Sequence, residues 1–108
     1  MKFLTIATYR DSFSALPQAE KTRLTMEDAK YILALKKKMG DKLHFYSDPA
    51  EYRTFSVGEY GNVEEYAQTL QSPTGAGGYV NIESVPLIEL DEKLVKAWLD
   101  SQKPAKKK

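Results

Sequence analysis

Residues 43–90 read LHFYSDPAEYRTFSVGEYGNVEEYAQTLQSPTGAGGYVNIESVPLIEL, and the order of patterns inside this stretch decides the fold. Leu43 and Phe45 alternate with His44 and Tyr46, which is the period of a short strand over 42–46. Asp48-Pro49 turns the chain, and 52–58 returns as a second strand with Phe55 and Val57 opposite Tyr52, Thr54 and Ser56. A helix follows. Asn62 stands at the cap, Glu65 completes an asparagine version of the capping box, and Val63, Tyr66, Ala67 and Leu70 fall at i, i+3, i+4 and i+7. After a loop over 72–78 that holds Pro73 and three glycines, 79–88 alternates again, with Val80 and Ile82 opposed to Asn81, Glu83 and Val85. Pro86 has no N–H to give a ladder, so this strand ends at an edge or a bulge.

The flanks complete the pattern. Residues 2–9 alternate as an opening strand, with Leu4 and Ile6 expected to face the helices. A polar connection over 10–16 leads to Pro17, whose fixed φ suits a first helical turn. Residues 17–39 are helical in composition, with a break expected near Leu24 and a restart capped by Thr25 and Asp28. Ala29, Ile32, Leu33 and Lys36 share a stripe ending at Met39, and the Lys36-Lys37-Lys38 run before Gly40 suits the negative end of the helix dipole. The resulting order, β-α-β-β-α-β, defines an α+β fold: a split βαβ or ferredoxin-like sandwich with a four-stranded antiparallel sheet and both helices on one face. An extra C-terminal helix is capped by Asp91, with Leu90 and Val95 as a staple and Leu94, Val95, Trp98 and Leu99 as its apolar stripe. So short a helix does not hold alone in water, so Trp98 must bury against its own subunit or a partner.

Composition excludes several function classes. The chain has 108 residues, 42% hydrophobic and 29% charged, within the range of one globular domain, expected over 1–102. Lys103, Lys106, Lys107 and Lys108 hold four of the sixteen basic residues, leaving 1–102 with 12 positive against 15 negative charges. A mildly acidic body with a short basic tail gives no broad field for nucleic acid, and 103–108 reads as a disordered, solubilising end. With no cysteine there is no disulfide framework and no thiolate nucleophile. One histidine without clustered carboxylates gives no metal set, and no cofactor is expected. The apolar run over 3–7 is too short for a signal peptide core, and no stretch nears the roughly 20 apolar residues of a membrane span, so a cytoplasmic protein is expected. A glycine-rich loop can cradle phosphate where a helix follows; here a strand follows 72–78, which reads better as a rim or lid.

Three stretches carry a family resemblance: Lys2-Phe3-Leu4 at the start, Glu59-Tyr60 followed by Asn62-Val63-Glu64-Glu65-Tyr66, and Asn81-Ile82-Glu83-Ser84-Val85-Pro86-Leu87. The chain from Leu43 through Glu89 resembles the muconolactone isomerase family and its relatives among the dimeric α+β barrel proteins. It departs from them in a longer linker over 11–15, the glycine-rich loop, the third helix and the lysine tail. No complete catalytic set aligns, so no isomerase role is carried over. The resemblance implies a homodimer in which two sheets pack face to face, with a small organic molecule held between sheet and helices or inside the barrel. Haem-binding relatives exist, for which His44 would be the one available axial ligand.

The residues reach the dimer independently. A sheet covered on one face leaves the other bare, here expected to bear Phe3, Tyr46, Tyr52, Tyr79 and Val85, and a two-fold contact hides such a face with one self-complementary patch. The same phases place His44, Tyr46, Tyr52, Thr54, Ser56, Asn81 and Glu83 together. Such a wall could shuttle a proton beside a carbonyl, with Glu83 or His44 as catalytic base, a tyrosine hydroxyl as donor, and Tyr46, Tyr52, Thr54, Ser56 and Asn81 binding the substrate. The competing reading is structural, with Glu83 paired to Arg53, Lys42 or a symmetry mate. Two functions therefore stand side by side: a cofactor-independent isomerase-type enzyme acting on a small organic acid or lactone, and a non-catalytic dimeric binding or accessory protein.

Overall fold

A computed structural model describes residues 1–70 and 78–103. The chain runs β1 (Lys2–Tyr9), α1 (Asp11–Ser14), α2 (Gln18–Met39), a 3-10 turn (Gly40–Lys42), β2 (Leu43–Asp48), β3 (Arg53–Glu59), α3 (Val63–Leu70), β4 (Val80–Leu87) and α4 (Glu92–Ser101). The four strands form one antiparallel sheet in the order β2-β3-β1-β4. This α+β arrangement is compatible with a ferredoxin-like fold. Residues 72–77 of the loop expected to be a rim or lid, and the lysine tail beyond residue 103, lie outside the described residues.

Two local expectations change. The polar connection after β1 contains a helical turn, α1, whose Phe13 stacks on Tyr9 with ring centroids 4.3 Å apart. The second helix is unbroken across Leu24, which is buried. Arg23 straps that point by bonding Glu27 at 2.8 Å and Glu20 on the preceding turn, while the Thr25 hydroxyl donates back to the Lys21 carbonyl instead of capping a new helix. At the C-terminus the Lys36 ammonium donates to the carbonyls of Gly40, at 2.8 Å, and Leu43. Gly40 takes φ 59° and ψ −130°, a conformation closed to residues with a Cβ.

The phase of β1 is the main correction. Phe3 and Thr5, not Leu4 and Ile6, face the helices: Phe3 lies flat on Tyr66 of α3, centroids 4.0 Å apart, and Tyr60 meets both rings edge-on at 6.3 and 5.0 Å. These three aromatics are the buried core cluster, with Met39 and Leu70 packed against it. Glycine at position 58, opposite both Phe3 and Leu43, makes room for the cluster: a Cβ there would lie 2.7 Å from the Tyr60 hydroxyl and 2.9 Å from Leu43 Cδ1.

The α3 cap forms as the sequence indicates. Asn62 Oδ1 accepts from the Glu65 N–H at 2.8 Å, and the Glu65 carboxylate accepts from the Gly61 N–H at 2.8 Å, one residue before the position of a standard box. Of its expected stripe, Tyr66 is buried and Leu70 half-buried, while Val63 stays 54% exposed. The Asp91 cap also forms, with its carboxylate accepting from the Leu94 N–H at 2.8 Å.

Candidate functional site

Directly paired residues on neighbouring strands share a face, so the register sorts every expected site residue. His44 and Tyr46 stand opposite Val57 and Phe55; Asn81 and Glu83 stand opposite Thr8 and Ile6. These four lie on the face turned away from the helices, with Leu4, Ile6, Phe55, Val57 and Val85 between and around them. Thr54 and Ser56 pair with Ala7 and Thr5 and so belong to the helix side, contrary to expectation. Tyr52 is not in a strand at all. It occupies the turn before β3 at φ 50°. Phe3 likewise leaves the open face, and Tyr79, beyond the start of β4, meets Phe13 edge-on at 6.2 Å.

The two expected catalytic groups are not brought together within one chain. Glu83 faces Ile6, Ile6 faces Phe55, and Phe55 faces Tyr46, so Glu83 and Tyr46 are three strand spacings apart, roughly 14 Å. His44, two residues further along β2, is more distant still. Within the chain Glu83 pairs with neither Arg53 nor Lys42: Arg53 bonds Asp48 at 3.0 Å and lies over the Phe55 ring at 5.1 Å. Asn81 is held by Arg10, whose Nε donates to its Oδ1 at 2.8 Å.

On the helix side a row of hydroxyls crosses the sheet in register, Ser56, Thr5 and Ser84. The Tyr66 hydroxyl sits above it. It donates to Ser84 Oγ at 2.7 Å and accepts from Thr5 Oγ1 at 2.7 Å, so its proton is committed and the buried threonine is satisfied. These polar residues at inward positions made the two faces of the strands hard to tell apart in the sequence.

The same side holds a cleft of about 1010 Å³ between α2, α3 and the end of β3. Tyr31, Leu35, Lys38, Met39 and Lys42 form one wall, and Tyr60, Glu65, Gln68 and Thr69 the other, with Met1 and Glu59 at the rim. Several of these groups are already engaged. The Tyr31 hydroxyl donates to the Thr69 carbonyl at 2.8 Å, and the Met1 ammonium donates to the Tyr60 carbonyl at 2.6 Å. Burial pushes both the Tyr31 and Tyr60 phenols above their ordinary values. Burial also raises the carboxyl of Asp28, one turn before Tyr31. Lys38 and Lys42 make no ion pair with Glu59 or Glu65, and an apolar patch of Leu35 and Met39 lies alongside. Lys38, Lys42 and the Met1 ammonium thus share the cleft with the carboxylates of Glu59 and Glu65, beside phenol rings and the apolar side chains of Leu35 and Met39.

Sequence reasoning did not single out this cleft. Its signal was present: Tyr31, Leu35, Lys38 and Lys42 recur at i, i+4, i+7 and i+11, a helical stripe continued into the 3-10 turn. Reading Lys38 within the Lys36-Lys37-Lys38 run as a partner of the helix dipole, and Lys42 as the first residue of a strand, concealed it.

No protein-family model matches the chain, and a search of curated proteins returns no match. Among the described residues no helix is long and apolar enough to cross a membrane, and no group of three or more His, Cys, Asp or Glu could hold a metal ion.

Proposed function

We propose that this chain is a homodimeric small-molecule-binding protein of the dimeric α+β barrel type, holding a small organic acid in the cleft between α2 and α3. The observation that carries the reading is the pairing of Lys38 and Lys42 with the Tyr31 and Tyr60 phenols around one cleft. In it, the lysines take the carboxylate and Leu35, Met39 and the rings take the body of the ligand. The cleft volume is at the upper end of the roughly 300–1,000 Å³ of ordinary ligand sites. The dimer uses the other face of the sheet, where Leu4, Ile6, Phe55, Val57 and Val85 have no helix above them.

Binding without turnover is the reading favoured by the separation of Glu83 from His44. An isomerase-type proton transfer using both would need two subunits to bring opposite sheet edges to one substrate. Calorimetric titration of the purified chain with benzoate and with adipate tests the site. Saturable binding, weakened at least tenfold by joint Lys38→Ala and Lys42→Ala substitution, is expected; equal binding by that variant, or no binding to the parent chain, overturns it.

A further inference from the structure

The cleft between α2 and α3 keeps opposite charges on different walls. Lys38 and Lys42 stand on the wall built by α2 and the 3-10 turn after it, and Glu65 stands on the wall built by α3. Among the described residues none of the three makes an ion pair. The C-terminus of α2 does not need Lys38, because Lys36 is the lysine whose ammonium bonds the carbonyls of Gly40 and Leu43 there.

Backbone holds the Glu65 carboxylate in place. Its Oε2 accepts from the Gly61 N–H at 2.8 Å while its own N–H is given to Asn62 Oδ1 at 2.8 Å, so both ends of the residue are tied at the start of α3. Its Oε1 has no hydrogen-bond partner among the described residues. The charges at the rim have other neighbours: Glu59 stands opposite Lys2 across the ladder between β1 and β3, and the Met1 ammonium donates to the Tyr60 carbonyl at 2.6 Å. Leu35, Met39 and the rings of Tyr31 and Tyr60 line the same space.

We infer that the cleft takes an ω-amino acid, a ligand with an ammonium at one end, a carboxylate at the other and an apolar middle: Glu65 Oε1 accepts from the ammonium, and Lys38 and Lys42 take the carboxylate. This rests on the organic-acid site proposed above and adds what stands at the far end of the acid. An ammonium there gains a charge-assisted hydrogen bond from an oxygen already aimed by the backbone, whereas a second carboxylate would set two anions against each other. A methyl group at that end gains neither. Charges on different walls are met by groups at the two ends of a chain; an α-amino acid carries both on neighbouring atoms and reaches one wall only.

Three ligands that differ at one end only, ε-aminocaproate, caproate and adipate, separate this inference from the reading beneath it. The full-length protein is titrated with each by calorimetry at low salt, where contacts between charges near solvent are least screened. The expected order is ε-aminocaproate at least tenfold tighter than adipate, with caproate between them. Glu65→Gln keeps an oxygen for the Gly61 N–H and puts an NH2 group where Oε1 stood, so it should bring ε-aminocaproate down to the affinity of caproate and leave caproate unchanged. Caproate or adipate binding as tightly as ε-aminocaproate, or a preference that survives Glu65→Gln, overturns the ammonium site and leaves the organic-acid site standing. Should that variant fail to fold, the order of the three ligands on the parent chain decides alone. Binding of ε-aminocaproate undiminished by joint Lys38→Ala and Lys42→Ala substitution, or no binding of any of the three, overturns both.

Discussion

Helices α3 and α4 are built from the same local parts and meet opposite fates. Each begins with an Asx side chain accepting a backbone N–H at 2.8 Å, each spans eight to ten residues, and each carries an apolar stripe. Yet Tyr66 of α3 is 4% exposed and Trp98 of α4 is 60% exposed. Caps and stripes decide that a helix forms; they do not decide what it lies on. For α3 the surface beneath is in its own sheet, supplied by Phe3 and by the hydroxyls of Thr5 and Ser84. For α4 none of the described residues supplies such a surface.

This contrast can be broken by substitution. Tyr66→Ala removes a ring stacked in the core and should cost about 4 kcal/mol in chemical denaturation, with no dependence on protein concentration. A loss under about 1 kcal/mol would mean α3 contributes no more to the monomer than α4. Gly58→Ala drives a methyl into Tyr60 and Leu43 and should cost about 2 kcal/mol, read by the same unfolding curve. Tyr66→Phe keeps the stack but leaves Thr5 without its acceptor; about 1.5 kcal/mol is expected, and a double-mutant cycle with Thr5→Val should recover most of it.

A pH effect is smaller. Burial holds the Asp28 carboxyl above its ordinary value of 3.8, so the folded chain keeps a proton that the unfolded chain releases. The stability tied to that proton is full below the unfolded pKa and is lost as pH rises through the higher folded one. Asp28→Asn should therefore flatten the stability profile just above pH 3.8 and gain about 0.5 kcal/mol at neutral pH, a modest figure because the site is partly wet. An unchanged profile would place Asp28 outside the packed side of α2. The smallest effect belongs to α4: Trp98→Ala, measured in dilute monomer, should move stability by less than about 0.5 kcal/mol. A larger loss there would show that α4 does lean on its own body.

Much of the fold was legible because local periodicity carries it. The alternation over 43–58, the Asn62 and Asp91 caps and the edge position signalled by Pro86 all correspond to elements of the structure. The candidate site was much less so. His44, Tyr46, Asn81 and Glu83 were placed on one face as the register has them, but Thr54, Ser56 and Tyr52 were not, and the cleft lined by Tyr31, Lys38 and Tyr60 went unread. The reason is specific to these strands. Inward positions carry hydroxyls that Tyr66 satisfies, outward positions carry Leu4, Ile6 and Phe55, and polarity alone therefore points the wrong way.

By itself the sequence determined the four strands, the longer helices and the Asn62 and Asp91 caps, because those choices depend on neighbours within a few residues along the chain. Only the tertiary structure decided which face of the sheet meets the helices, that Glu83 and His44 stand at opposite edges, and that the described residues leave the stripe of α4 exposed. Those outcomes depend on which surfaces meet across tens of residues of chain, and a period of two reads the same from either side.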